Sequence, residues 1–224
     1  MHAPAMDQTN TARTAPAAGF GEHDPRRTLL AAAELATAAI DAVRPDQLEA
    51  PTPCSDMDVR RLLGHLVMVG QRIAGAGRGE DPATWPGEVV GLADDQWAGA
   101  WRAAVDDIGA VWADDDVLGR RVDLPWATQS GTEVAHIYTN EITVHTWDLA
   151  RATGQSPAWD PRVLQVALDA IHAELPAERA PLWEQAKGFV SEDYPWEDPF
   201  GDAVAVPADA PLIDRLVAWN GRTP

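Results

Sequence analysis

The chain has 224 residues, 46% hydrophobic and 23% charged, the balance of a soluble globular protein with one ordinary domain and at most a modest appendage. Against 17 Lys and Arg stand 35 Asp and Glu, a net charge of −18; a surface this acidic repels phosphate backbones and anionic lipid headgroups, which argues against nucleic-acid and membrane partners. No run reaches the roughly eighteen uncharged apolar residues of a membrane span. The N-terminus lacks the basic start and apolar block of a secretion signal, and the single cysteine, Cys54, makes no internal disulfide, so the expected location is the cytoplasm.

Residues 1–23, rich in Ala, Thr, Pro and Gly, read as a flexible N-terminal tail. Asp24 then Pro25 is an N-cap followed by proline at the first helical position, and Leu29, Ala33, Ala36, Ile40 and Val43 recur at helical spacing until Pro45. A second helix follows Thr52-Pro53-Cys54, with Ser55 and Asp58 as a capping-box-like start. Val59, Leu62, Leu66, Val69 and Ile73 form its core stripe, and glycines at 75, 77 and 79 its end. In a third helix from about Asp94 to Trp112, residues Trp97, Trp101, Val105, Ile108 and Trp112 face the core.

Arg121 to Trp126 reads as a short extended segment, and Gln129 to Thr132 as a turn. A fourth helix is predicted from about Thr132 to Thr153 with Gly154 as C-cap, and Asp160-Pro161 opens a fifth through about Glu174. Residues 188–211 read as acidic loop with one short strand at Ala203–Val206, before a short closing helix over Pro211–Asn220. The predicted fold class is therefore mainly all-α. It is an up-down-up-down four-helix bundle over 24–155, with a short, mostly helical C-terminal extension over 156–224 packed on it.

On the fourth helix, Val134, Tyr138, Glu141, His145 and Asp148 share one stripe at three- and four-residue steps, so polar groups fall on the side that should be buried. On the second, His65 lies between Leu62 and Val69 and also points inward. Bundled helices lie about 10 Å apart, so His65, Glu141 and His145 can converge. Two imidazoles and a carboxylate are the ligand type of catalytic zinc sites, which leave a position open, and also suit non-haem iron. E-x3-H spacing is common, so a satisfied polar core stands beside the metal reading on pattern alone. The buried glutamate needs a counter-charge, and no Lys or Arg lies on its stripe within one turn.

Thr52 to Val59 leading into Leu62-Leu63-Gly64-His65-Leu66-Val67, and the stretch EITVHTWDLARATG from Glu141 to Gly154, resemble the mycothiol-dependent maleylpyruvate isomerase N-terminal type of metal-binding protein. That type is an actinobacterial branch of the DinB-like four-helix bundles. The resemblance covers roughly residues 25–155, and the ending from Pro199 to Arg222 is similar to the tails of shorter members. It implies a divalent metal, usually zinc, at His65, Glu141 and His145, and mycothiol as thiol cofactor. Met57 stands where the motif usually carries Trp. Only about 70 residues follow the bundle, so the separate C-terminal domain of the full isomerases is expected to be truncated or absent, and their substrate choice does not carry over.

Around this site, Asp148 is placed to accept the second N–H of His145; a salt bridge with Arg151 is the alternative. Tyr138 is a candidate proton donor beside the metal or simply a lining aromatic. Among the late arginines 151, 215 and 222, Arg222 is the candidate cofactor-side residue, a bidentate clamp, against a solvated-surface reading. Cys54 reads as an inert thiol rather than a nucleophile or extra ligand, because no His adjoins it in sequence. His136 and His172 fall on other faces. The expected activity is a cytoplasmic, mycothiol-using metalloenzyme, an S-transferase or isomerase of a small electrophilic molecule, monomeric or homodimeric. A non-catalytic metal-binding or regulatory bundle and a thiol-independent metal-assisted hydrolase are the alternatives.

Overall fold

The computed structural model describes residues 19–54, 56–81, 84–85, 89–124, 127–187 and 201–224. Its helices begin where local chemistry satisfies the first free N–H groups. Helix α1 (Pro25–Asp41) starts at Asp24, whose carboxylate accepts from the Arg26 backbone N–H at 2.9 Å. Helix α2 (Val59–Arg78) starts at Asp58, which accepts from the Arg61 N–H at 2.8 Å. Asp58 is thus the cap itself, and Ser55 lies outside the described residues. Gly79, at φ 72, ends α2 in the left-handed conformation that glycine adopts without a Cβ clash.

Helix α3 (Trp97–Val111) is followed by a single helical turn, α4 (Asp116–Gly119). Strand β1 (Arg121–Asp123) pairs antiparallel with β2 (Thr128–Ser130), Val122 opposite Gln129. The expected extended segment is therefore one arm of a hairpin, whose Pro125 and Trp126 lie outside the described residues. Ser130 and Glu133 form a reciprocal capping box that opens α5 (Gly131–Thr153), and Gly154 closes it. Asp160 caps α6 (Pro161–Glu174), and α7 (Ala180–Lys187) and α8 (Leu212–Trp219) follow. The fold is all-α apart from the hairpin.

Helix α1 packs on α5 and α3, and α2 packs on α3 and α5, so the four long helices close a ring around one core. The predicted stripes meet there. Leu29, Ala33 and Ala36, then Leu62, Leu66 and Ile73, then Trp101, Ile108 and Trp112 are fully enclosed. Each large apolar side chain contributes roughly 1.5–3 kcal/mol relative to exposure. The indoles also need partners: Trp101 Nε1 donates to Thr37 Oγ1 at 2.8 Å, and Trp112 Nε1 to the Ile73 carbonyl at 3.0 Å. Gly77 makes room for Trp112, since a Cβ there would lie 2.6 Å from its Nε1.

Helix α5 departs from a simple amphipathic helix. It is flanked by α1, α2 and α6, and buries Ile142, Val144 and Leu149 on other faces besides the polar stripe. Its threonines tolerate this because Thr139, Thr143, Thr146 and Thr153 each donate to the carbonyl four residues earlier, at 2.6–2.7 Å.

A second apolar cluster joins Val144 of α5 to Leu164, Ala167, Leu168 and Ile171 of α6 and Leu216 of α8. Fully buried Arg179 ties this part together by donating to the carbonyls of Pro176, Gly201 and Trp219. The strand expected at Ala203–Val206 does not form; the segment gives its N–H groups elsewhere, Ala203 to the Ala177 carbonyl and Val204 to the Ala218 carbonyl, both at 2.9 Å. Of the expected tail, residues 1–18 lie outside the described residues, while Phe20 packs under the Arg26 guanidinium at 4.1 Å. The acidic stretch 191–200 also lies outside them. No described helix is long and apolar enough to cross a membrane.

Candidate metal centre

The α2–α5 seam brings together the three residues that the sequence singles out. His65 Nε2 lies 3.1 Å from Glu141 Oε1, and His145 Nε2 lies 3.4 Å from the same oxygen. The two imidazoles meet edge to face with centroids 4.5 Å apart. One ligand atom from each of the three residues falls within 4.8 Å of the other two. Ligands about 2.05 Å from a tetrahedral zinc are separated by about 3.3 Å, so both measured spacings fit a shared cation. His145 is also the counter-charge that the half-buried glutamate requires, and His65 adds a second contact to the same oxygen.

Electrostatics follow from that packing. Burial pushes the Glu141 carboxyl up, but His145 and His65 outweigh it and hold the group well below the usual carboxylate range. Burial pushes His145 down, yet Glu141 and Asp148 lift it to about 9. His65 is lowered, because its desolvation outweighs its hydrogen bond to Glu141. These directions favour a half-buried Glu141 carboxylate beside a His145 imidazolium. A divalent cation replacing that proton meets a preformed negative oxygen and two nitrogens.

Asp148, fully buried, sits on the far side of His145, its Oδ2 3.1 Å from Nδ1. Its cationic partner is Arg222, from the other end of the chain, through Nη2 at 2.9 Å and Nε at 3.3 Å. The alternative partner, Arg151, is exposed, with its guanidinium 5.6 Å from the Trp147 ring. Arg222 is itself buried and engaged, its Nη1 donating to the Asn220 carbonyl at 2.7 Å, rather than solvated at the surface. Tyr138, buried one turn before Glu141, has its phenol raised, first by burial and then by the Glu141 charge. His136 is half-buried and stays out of the cluster, and exposed His172 packs edge-on to Trp219 at 4.1 Å.

Cys54, expected to be an inert thiol, lies nearer the site than its sequence neighbours indicate. Its Sγ and ligand atoms of His145 and Asp148 all lie within 4.8 Å of one another. Burial pushes the thiol up, with Arg222 opposing. The helix order explains the meeting: Arg60 pairs with Asp94 and Arg78 with Asp107, so α2 and α3 run parallel, and the expected up-down-up-down order is instead up-down-down-up. With α2 and α5 therefore antiparallel, a residue N-terminal to His65 comes level with one C-terminal to Glu141.

Comparison with known proteins places the chain in a family. Residues 29–150 match the model of the mycothiol maleylpyruvate isomerase N-terminal domain, and the chain belongs to that family. Two uncharacterized proteins of Mycobacterium tuberculosis, from strains CDC 1551 and H37Rv, are each 31% identical over 202 residues, spanning 89% of this chain and 98% of theirs. Among solved structures, the mycothiol-dependent maleylpyruvate isomerase superposes with a TM-score of 0.53 at 14% identity over 70% of each chain. A point mutant of that enzyme gives 0.55 at 12% identity over the same share. The fold is thus shared with that isomerase.

Proposed function

We propose that this protein is a divalent-metal enzyme that uses mycothiol to transfer to, or isomerise, a small electrophilic molecule. The observation that carries the reading is the convergence of His65 Nε2 and His145 Nε2 on one oxygen of Glu141, at 3.1 and 3.4 Å. Membership of the isomerase family supports it. His65, Glu141 and His145 would hold the metal, with zinc first by donor chemistry. Held there, a divalent metal would supply Lewis acidity that favours the ionised form of a thiol at neutral pH.

The chain's own residues do the rest. Asp148 accepts the Nδ1 proton of His145 and so fixes the tautomer that turns Nε2 toward Glu141. Tyr138, kept protonated by burial, supplies an O–H on the Glu141 side of the site. Residues 156–187 and 201–224 act as an extension of the core rather than as an independent catalytic unit.

Cys54 favours a second reading. Its Sγ lies within 4.8 Å of a His145 nitrogen and an Asp148 oxygen, and a thiolate added to the ligand set would close the site and make it structural. Cobalt-substituted protein separates the two. The enzyme reading expects a thiolate-to-cobalt absorption band only after mycothiol is added, persisting in Cys54→Ser. A band present without added thiol and lost in Cys54→Ser supports the closed site. No spectral change at saturating mycothiol contradicts the thiol-enzyme reading.

A further inference from the structure

The arginine that reaches the metal centre comes from the last turn of the chain, and a helix-termination motif delivers it. Helix α8 ends at Trp219, Asn220 caps it, and Gly221 takes φ 82. The Gly221 N–H donates to the Ala218 carbonyl at 3.0 Å and the Arg222 N–H to the Val217 carbonyl at 2.9 Å. This pair of bonds is the Schellman arrangement, which folds the following residue back along the helix. Two contacts fix α8 in place: the reciprocal amide pair of Asn140 and Asn220 at 3.0 and 3.3 Å, and Arg179 on the Trp219 carbonyl. Arg222 is thereby set against Asp148 with both carboxylate oxygens engaged, and the same Oδ2 meets His145 Nδ1.

We infer that Arg222 is a positioning residue of the metal centre, acting through Asp148 to hold the His145 ring in its metal-binding orientation, so that the C-terminal turn completes a site whose ligands lie on α2 and α5. The inference rests on the metal reading above. Arg222 touches none of the three proposed ligands in any hydrogen bond of the described residues. Its charge alone opposes a cation a few ångströms away. Two roles therefore predict opposite signs. If the guanidinium acted only as a charge, its removal would tighten metal binding; if it holds Asp148, its removal loosens it.

The test is zinc affinity, measured by competition with a chromophoric chelator on the full chain. Arg222→Gln is expected to weaken zinc about tenfold, the lower end of the effect of losing an outer hydrogen-bonding partner of a ligand. Arg222→Lys, which restores charge but not the two-oxygen grip, should fall between it and the wild type. Asp148→Asn/Arg222→Gln, which leaves no orphaned charge and so protects folding, should be no weaker than Asp148→Asn alone, because both act through one contact. Leu216→Ala, which removes a fully buried α8 side chain from the apolar cluster with Val144 and α6 but leaves the Arg222–Asp148 contact groups intact, should lower Tm yet leave zinc affinity unchanged. Unchanged or tighter zinc in Arg222→Gln overturns the inference, as does a weakening in Leu216→Ala equal to that in Arg222→Gln. Wild-type protein that takes no zinc would instead sink the metal reading beneath it.

Discussion

Two largely enclosed arginine–aspartate pairs hold the start of α1 and the turn after α8, and they do different work. Arg26 and Asp24 are two residues apart; the guanidinium, 4% exposed, grips the cap of α1 at 2.6 Å and reaches exposed Asp115 at 2.7 Å and the Trp112 carbonyl at 3.2 Å. Arg222 and Asp148 are 74 residues apart, and their shared oxygen also touches a histidine of the candidate metal centre. The first pair anchors a helix start to α3, remote from any chemistry. The second links the end of the fold to the site. A buried ion pair is weak evidence for stability by itself; what it touches decides its role.

The sharpest break between the pairs comes from removing each aspartate. Asp148→Ala strands a buried guanidinium and frees the His145 ring, so it should cost about 3–5 kcal/mol in urea unfolding and weaken zinc roughly 10- to 100-fold. Asp24→Ala should cost about 2 kcal/mol, the loss of a cap plus part of an ion pair that Asp115 partly replaces, with zinc affinity unchanged. Equal effects of the two on zinc would erase the distinction. The Asp24 contribution also has a pH signature. Its hydrogen bond to Arg26 outweighs burial and holds the carboxyl below its usual value. Its stabilisation is therefore present above the unfolded value of about 3.9 and is lost as pH falls through the lower folded value. The stability gap between wild type and Asp24→Ala should close at acid pH.

Smaller effects sharpen the same contrast. Gly77→Ala crowds Trp112, whose carbonyl receives Arg26, and should cost about 1–3 kcal/mol and shift tryptophan fluorescence without changing zinc affinity. At the other pair, His145 is raised to about 9 because Glu141 and Asp148 outweigh its burial. In the metal-free protein its contribution to stability is fully present below about pH 6.5 and fades as pH rises through about 9. Zinc must displace that proton. Calorimetry at pH 7.5 in buffers of different ionisation enthalpy should show about one proton released per zinc, falling toward zero above pH 9; no proton release would contradict the carboxylate–imidazolium pair.

Local signals in the sequence were reliable. Asp24-Pro25 and Asp160-Pro161 open α1 and α6, Gly79 and Gly154 close α2 and α5, and the three tryptophans of α3 are buried. The convergence of His65, Glu141 and His145 was legible because polar groups at inward positions are costly unless they meet one another. Long-range partners were not. Nothing local says that residue 222 meets residue 148, or that Cys54 lies beside His145, since both depend on how whole elements stack. Ala203–Val206 reads as a strand, yet the N–H groups of Ala203 and Val204 go to the carbonyls of Ala177 and Ala218 rather than to a partner strand.

The central claim is that His65, Glu141 and His145 hold a divalent metal. Elemental analysis of untagged wild-type protein beside His65→Ala and Glu141→Ala tests it most directly, with circular dichroism to confirm that each variant is folded. The account predicts about one metal ion per chain in the wild type and almost none in either variant. Wild-type protein without metal, or folded variants that retain it in full, would contradict the account and leave the cluster as a hydrogen-bonded polar core.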